Sequence, residues 1–162
     1  MENQIYTSKQ YLTSLRVIHF ALLLGQIIFA AITLLLGGDE TNSQSGLDSN
    51  LIIAPVLIVS GILIGYFIEQ NKLKNLDHRA PLKAKLDKYR TILITKYSLV
   101  EGAVLFSIVN YLLTSNFVFL IYALFGIAYM VFIGPSKRKL FVELKLSSDE
   151  QEKLNDSSYT FS

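Results

Sequence analysis

The sequence predicts an all-α integral membrane protein with a bundle of four transmembrane helices. Of its 162 residues, 51% are hydrophobic and only 17% are charged, which is an unusually apolar composition for a surface in water. The apolar residues are also clustered in stretches near the roughly 20 residues that a helix needs to cross a hydrocarbon core about 30 Å thick. The four stretches are residues 17–36, 51–68, 91–113 and 117–133.

A soluble helical protein is a poor alternative. Helices that are apolar on every face need lipid or a thick protein shell around them, and 162 residues are too few to build that shell. The first stretch is longer than the apolar region of a typical signal peptide and lacks a convincing small-residue cleavage site. We therefore expect it to remain as a helix.

The basic residues fix a predicted orientation. All fifteen Lys and Arg residues fall on one side of the four stretches, and the positive-inside rule makes that side cytoplasmic. We predict a multi-pass protein of the bacterial inner membrane with both termini in the cytoplasm. Residues 1–16 are the predicted cytoplasmic N-terminal segment, 17–133 the transmembrane domain and 134–162 a basic, amphipathic cytoplasmic tail.

The connections differ in length. The first outer connection, 37–50, is polar, contains Asp39, Glu40 and Asp48, and is predicted to be a solvated loop. The second, 114–116, is so short that helices 3 and 4 must form a tight antiparallel hairpin. On the inner side, helix 2 is expected to run to about Leu76, and helix 3 to begin near Pro81, well before its apolar stretch.

The tail combines basic and apolar residues. Gly134 and Pro135 end helix 4, and the pattern that follows predicts a short helix lying in the lipid headgroup layer. Its basic residues are Lys137, Arg138 and Lys139, and its apolar residues are Leu140, Phe141, Leu144 and Leu146. Ser147 and Glu150 form a capping-box pattern for a further helix, and the last residues are expected to be frayed.

The two halves of the chain resemble each other. Residues 15–29 align with 92–106, so that Gly25 meets Gly102 and Phe29 meets Phe106. A duplication would give two parallel repeated hairpins related by an axis along the membrane normal. Apolar helices also resemble one another by chance, so both explanations stay open.

Small residues four apart predict helix contacts, because they let neighbouring backbones approach closely in lipid. Gly25, Gly61, Gly65 and Gly102 each belong to such a pair. We expect their faces to lie inside the bundle or at an interface between protomers.

One carboxylate stands near the middle of a predicted span. Glu101 would be costly there if it were ionised and facing lipid, so it should be protonated, paired or turned to a polar interior. Tyr97 and Ser98 precede it by about one turn, and Gln26 on helix 1 lies at a comparable depth where it could hydrogen-bond to Glu101. Two hypotheses remain: a neutral Glu–Gln contact that stabilises the bundle, or a proton or cation site.

Two other polar residues receive structural interpretations. Lys96 is five positions from Glu101 and so lies on another helix face, and we expect its side chain to extend to the inner interface. His19 is expected to be an interfacial histidine that hydrogen-bonds to a neighbour or a headgroup.

No motif indicates an enzyme, a metal site or a cofactor. The sequence has no nucleophile elbow, P-loop or dinucleotide fingerprint. The basic residues of the inner connection between helices 2 and 3 are explained by topology rather than by nucleic acid. The expected function is a structural, anchoring or interaction subunit of a membrane complex, whose partners are lipid and either another membrane protein or a second copy. The alternative is a proton- or cation-handling protein that uses Glu101.

Overall fold

The computed structural model describes residues 6–36, 49–77 and 79–161, which form six helices and two short strands. The predicted outer loop falls mostly at 37–48 and so lies outside the described residues. The elements in chain order are β1 Tyr6–Thr7, α1 Ser8–Leu36, α2 Asn50–Lys74, α3 Leu82–Thr114, α4 Val118–Phe132, α5 Lys137–Glu143, α6 Ser148–Asn155 and β2 Thr160–Phe161.

The fold class is confirmed as all-helical with three to four candidate membrane spans. Helices α1, α2 and α3 are long and apolar enough to cross a membrane. Helix α4 has only 15 residues, about 22 Å at 1.5 Å per residue. It reaches the length of a span only when joined to α5, across a bend of 77°. The bend lies at Gly134 and Pro135, where helix 4 was predicted to end.

Helix α3 is the centre of the structure. It packs against α1, α2 and α4, and α4 also contacts α1 and α2. Tyr97, Val100 and Val104 on α3 are at most 1% exposed. The turn into α4 is closed by Ser115, whose backbone is left-handed (φ 54°) and whose N–H donates to the carbonyl of Tyr111 at 2.8 Å. Helices α1 and α2 do not pack along each other within the described residues, so one side of α3 stays open between them.

This packing differs from two repeated hairpins. A repeat with internal symmetry requires α1 to pack on α2 as α3 packs on α4, and the described helices do not do so. The alignment of the two halves therefore does not extend to an equivalent helix arrangement. The aligned glycines Gly25 and Gly102 nevertheless share one property, since a Cβ built on either would meet no atom within 4 Å.

The predicted packing glycines separate into two groups. A Cβ on Gly61 would lie 2.9 Å from the backbone carbonyl oxygen of Leu99, and one on Gly65 would lie 3.2 Å from Cγ of Lys96. These two glycines let α2 approach the backbone of α3. The expectation that Gly25 and Gly102 lie inside the bundle is wrong for the described chain, because both face open space. The other alternative, that these two glycines lie at an interface between protomers, stays a prediction.

The C-terminal segment is folded against the rest of the protein. Helices α1 and α3 begin, and α2 ends, at the same end of the structure. We call this the basic end. There β1 pairs with β2 in antiparallel register, with Tyr6 opposite Phe161, and α6 contacts α1. Leu140, Leu144 and Leu154 are at most 1% exposed and belong to the same core as Tyr89 of α3.

Two predictions for this segment are wrong and one is confirmed. The described end of the chain is not frayed, since Thr160–Phe161 forms β2 and Phe161 is 4% exposed. The predicted apolar face packs on the protein instead of facing lipid headgroups, although Val142 of α5 is 69% exposed; that face consists of Leu140, Phe141, Leu144 and Leu146. An amphipathic pattern shows that an apolar face exists but not what covers it. The capping box of Ser147 and Glu150 is present as predicted.

An ion pair connects α6 to α3 at the basic end. Nζ of Lys85 lies 2.6 Å from Oε1 of Glu150, with side-chain exposures of 4% and 16%. Burial acts to raise the pKa of Glu150, but the hydrogen bond from Lys85, the hydrogen bonds from Ser147 and the Lys85 charge outweigh it and hold that pKa below 4.5. A carboxylate whose pKa is lowered by folding stabilises the fold above its unfolded pKa, and this contribution is lost as the pH falls through the folded pKa.

We therefore expect the melting temperature of the detergent-solubilised protein to fall below about pH 4.5 more steeply than that of Glu150→Gln, which cannot lose the charge. The matched control is Asp149→Asn, which breaks the pair of Asp149 with Lys153, whose side chains are 70% and 38% exposed. Exposed pairs of this kind stabilise little, so this control should retain the acid sensitivity of the wild type. Equal acid profiles for Glu150→Gln and the wild type would contradict the role of the Lys85–Glu150 pair.

Candidate functional site: a polar stripe on the open side of α3

Polar and small side chains form a stripe on the open side of α3. Thr91, Ser98 and Gly102 are exposed, and Thr95 and Glu101 are partly buried. Their spacing of three and four residues places them on one helical face. In the part of the stripe nearest the start of α3, a side-chain hydroxyl hydrogen-bonds to the helix backbone: Thr95 donates to the carbonyl of Thr91 at 2.8 Å. We call these five residues the α3 stripe.

Glu101 makes no hydrogen bond or ion pair within the described part of the chain, and its side chain is partly buried. It is four residues after Tyr97, whose ring lies 4.8 Å from the ring of His19 on α1. Residues four apart occupy the same side of a helix. Glu101 therefore stands one turn beyond Tyr97, where the open side of α3 borders α1.

The predicted contact between Gln26 and Glu101 is not formed. Gln26 is fully buried, and neither Nε2 nor Oε1 of its amide has a hydrogen-bond partner in the described structure. Tyr97 is also interior, at 1% exposure, and its hydroxyl donates to the carbonyl of Ile133 at 3.5 Å. Of the four residues predicted to form one site, only Glu101 and Ser98 belong to the α3 stripe, because Tyr97 and Gln26 are buried.

His19 differs from its prediction as well. It is 8% exposed, and its Nδ1 lacks a hydrogen-bond partner among the described residues. Its ring packs on Tyr97 and beside Gly134, where a Cβ would lie 3.2 Å from Nε2 of the histidine. His19 is therefore a buried residue of the α1–α3–α4 contact, and the expected hydrogen bond is not formed at its Nδ1 within the described residues.

The sequence missed a buried ion pair between α2 and α3. Nζ of Lys96 lies 2.7 Å from Oε2 of Glu69, with side-chain exposures of 11% and 7%. The expectation for Lys96 did not include this partner, because its ammonium group ends in an ion pair with Glu69 and not in solvent. Gly65 makes room for it, since the lysine Cγ occupies the space that a side chain at residue 65 would need. The sequence held one indication of this pair, because Glu69 follows directly after the predicted span 51–68.

The α3 stripe meets a cavity at the basic end. The cavity has a volume of about 500 Å³ and lies between the end of α2 and the beginning of α3. Its lining is Asn71, Lys72, Asn75, Asp87, Lys88, Thr91 and Ile92. Thr91 belongs to both the cavity and the stripe, so polar groups continue from the basic end to the middle of α3.

The stripe can exchange a proton or make hydrogen bonds. In residues 6–36, 49–77 and 79–161, His, Asp and Glu side chains nowhere gather in a group of three that could hold a metal ion. Beyond Glu101, the open side of α3 continues with Leu105, Val109 and Leu112. The polar face therefore ends near the middle of the helix.

Comparison with known protein families, characterised proteins and solved structures finds no match to this chain.

Proposed function

We propose that this protein is a four-span membrane protein that acts as an interaction subunit, and that the α3 stripe is its contact surface for a transmembrane helix of a partner. The observation that supports this most is Glu101, a carboxylate in the middle of a long apolar helix that has no polar partner among the residues that the structure describes. The partner is another membrane protein or a second copy of this chain.

The pairing of β1 with β2 supports four spans. Tyr6–Thr7 precedes α1 and Thr160–Phe161 follows α6, and the two strands pair. Segments that pair must lie on the same side of a membrane, which requires an even number of crossings. Three crossings would separate them. With α4 as the fourth span, the bilayer must thin locally or α5 must lie at its surface, and thinning costs a fraction of a kcal/mol for each Å of mismatch.

The distribution of charge supports a cytoplasmic location for the basic end. All fifteen Lys and Arg residues belong to that end or to the helix halves that lead from it. Retention of basic segments in the cytoplasm orients inner-membrane proteins. We propose that both termini and the α5–α6 segment lie there.

The cost of exposing Glu101 to lipid supports a partner at the stripe. Insertion scales give a cost of about 2.5–3.5 kcal/mol for an acidic residue at the centre of a membrane helix. A polar group on a facing helix lowers this cost by accepting or donating a hydrogen bond, typically worth about 1–2 kcal/mol at most. Association thus offers Glu101 the partner that the α1–α4 packing does not.

The small residues beside Glu101 supply the space for such a contact. Ser98 and Gly102 are four apart and exposed, and a Cβ on Gly102 would meet no atom within 4 Å. Helices that meet at small residues with this spacing approach closely, and van der Waals contact then stabilises the pair. Hydrogen bonding and close approach would therefore occur at the same level of α3.

We expect Gly102→Leu and Glu101→Leu to reduce the assembled fraction of the protein in native membranes, by about tenfold in association constant for a loss of about 1–2 kcal/mol. Leucine at residue 102 fills the space that a partner would occupy, and leucine at 101 removes the hydrogen bond. Glu101→Gln keeps a polar group and should assemble nearly normally. Native gel electrophoresis of mildly solubilised membranes measures the change.

The control for these variants is Ala128→Leu, which also introduces a leucine at an exposed position, but on α4. It should leave the assembled species unchanged. If Gly102→Leu and Glu101→Leu both migrate as the wild type does, the α3 stripe is not a contact surface.

Proton or cation handling is the second candidate, and the continuity of the stripe with the cavity at Thr91 favours it. Hydroxyls of Thr91, Thr95 and Ser98 lead from the basic end toward Glu101. The apolar face beyond Glu101 means that a partner would have to complete the path. Flux in liposomes distinguishes the two functions, because Glu101→Gln abolishes flux if the carboxylate titrates and leaves assembly intact in either case.

A further inference from the structure

A second cavity at the basic end is built from segments distant in the sequence. It has a volume of about 490 Å³ and lies where the α2–α3 connection, the start of α3, the α5–α6 turn and β2 meet. Arg79, Lys83, Lys145, Tyr159 and Phe161 are among its lining residues. We call it the basic pocket.

The charge in the basic pocket is unbalanced. Five cationic side chains line it, Arg79, Lys83, Lys85, Lys145 and Lys153, against two carboxylates, Asp149 and Glu150. Both carboxylates are engaged, Glu150 with Lys85 and Asp149 with Lys153, each at 2.6 Å. Arg79, Lys83 and Lys145 form no ion pair with any described residue. Three cations around one cavity repel one another unless an anion lies between them.

Lys145 occupies a backbone conformation that disfavours it. Its φ of 49° is left-handed, and glycine is the usual residue at such a position after a helix. The turn is firmly held, because Leu144 and Leu146 on either side are 0% and 5% exposed and the N–H of Leu146 donates to the carbonyl of Phe141 at 3.2 Å. The turn therefore places a lysine beside the pocket at a position whose backbone conformation glycine would adopt at a lower energetic cost. Backbone strain of this kind concentrates at functional sites.

We infer that the basic pocket binds a phosphate group, with Arg79, Lys83 and Lys145 as its cationic ligands. A guanidinium and two ammonium groups match the geometry and charge of phosphate oxygens. A volume of about 490 Å³ is within the range of small-molecule sites, so the pocket has room for more than the phosphate. The rings of Tyr159 and Phe161, 5.5 Å apart and edge to face, form an apolar wall for that remainder.

The position of the pocket favours a soluble ligand over a lipid headgroup. Helix α3 has 33 residues, about 50 Å, of which a bilayer core covers about 30 Å. The pocket lies at the first turn of α3, beside Lys83 and Lys85, and so at the part of the helix that projects beyond the membrane. Both sources present the same phosphate chemistry, and binding measurements separate them.

The test uses the full-length protein in neutral detergent with inorganic pyrophosphate as the soluble probe and phosphatidylglycerol as the lipid probe. Calorimetry measures the first and native mass spectrometry the second. We expect pyrophosphate to bind, and Arg79→Gln and Lys145→Gly each to weaken binding by about tenfold, as for the loss of one charge-assisted hydrogen bond. Lys145→Gly also relieves the left-handed backbone, so its melting temperature should equal or exceed that of the wild type. Loss of binding then cannot be attributed to unfolding.

The control is Arg138→Gln on the exposed side of α5, outside the pocket, which should bind as the wild type does. Retention of phosphatidylglycerol alone, lost in the Arg79 and Lys145 variants, would support the site with a lipid as the source of the phosphate. Binding that survives both pocket substitutions, that falls equally in Arg138→Gln, or that is absent for both probes would overturn the inference.

Discussion

Lys96→Met and Glu69→Leu are each expected to destabilise the protein by about 3–5 kcal/mol, because either change leaves one buried charge without its partner. The two side chains are only 11% and 7% exposed, and their charged atoms are 2.7 Å apart. Unfolding in mixed detergent micelles with increasing SDS, followed by circular dichroism, measures the loss. The double variant should recover most of it, since two apolar side chains of similar size replace a buried pair at little net cost.

The matched comparison is the pair of Lys153 with Asp149, whose nitrogen and oxygen atoms are similarly close, at 2.6 Å, but whose side chains are 38% and 70% exposed. Its single substitutions should leave stability nearly unchanged, because exposed ion pairs stabilise little. If the Lys96 and Glu69 losses were additive in the double variant, the two charges would not be coupled and their proximity would not stabilise the α2–α3 contact.

Gly61→Ala is expected to destabilise the protein by about 1–3 kcal/mol, the usual cost of overpacking a tight contact. The new methyl group would lie 2.9 Å from the carbonyl oxygen of Leu99 and 3.3 Å from its carbonyl carbon. Both are backbone atoms of α3 and cannot rotate away. The two helices must therefore move apart. Ala54 and Ile58 of α2, which are 0% and 6% exposed, would then lose packing contacts as well.

The chain supplies its own controls for this substitution. Gly25→Ala and Gly102→Ala add the same methyl group where nothing lies within 4 Å, and alanine improves helix propensity by up to about 1 kcal/mol. Both should be neutral or slightly stabilising in the same SDS titration. A Gly61→Ala protein as stable as Gly102→Ala would show that α2 does not approach α3 as closely as the structure indicates.

The sequence predicted what depends on composition and local pattern. Apolar length located the spans, Gly134 and Pro135 ended α4, and the Ser147–Glu150 capping box began α6. Each of these features is decided by residues close together in the chain, through burial length, backbone restriction or local hydrogen bonds.

The candidate site was predicted only in part, because its membership depends on how each helix is rotated about its axis. Glu101 and Ser98 lie on the same face of α3, whereas Gln26 and Tyr97 face the interior. A helix that is apolar on every face gives no periodic signal for that rotation. Glu69 was missed for a related reason: its importance comes from Lys96 on another helix, and pairing between helices is invisible in a single sequence.

The fold of the C-terminal segment was also beyond sequence patterns. Leu140 and Leu144 predicted an apolar helix face, but lipid and protein cover such a face equally well. The choice was made by long-range contacts, including the pairing of Thr7 with Thr160 across the whole chain.

The central proposal, that the α3 stripe contacts a partner helix, is tested most directly by photo-crosslinking in native membranes. A photoreactive residue is placed at Ser98 or Gly102 on the stripe, and at Leu124 on α4, which is 64% exposed, as the lipid-facing control. The proposal predicts protein adducts at Ser98 and Gly102 and lipid adducts alone at Leu124. Lipid adducts alone at all three positions would contradict it.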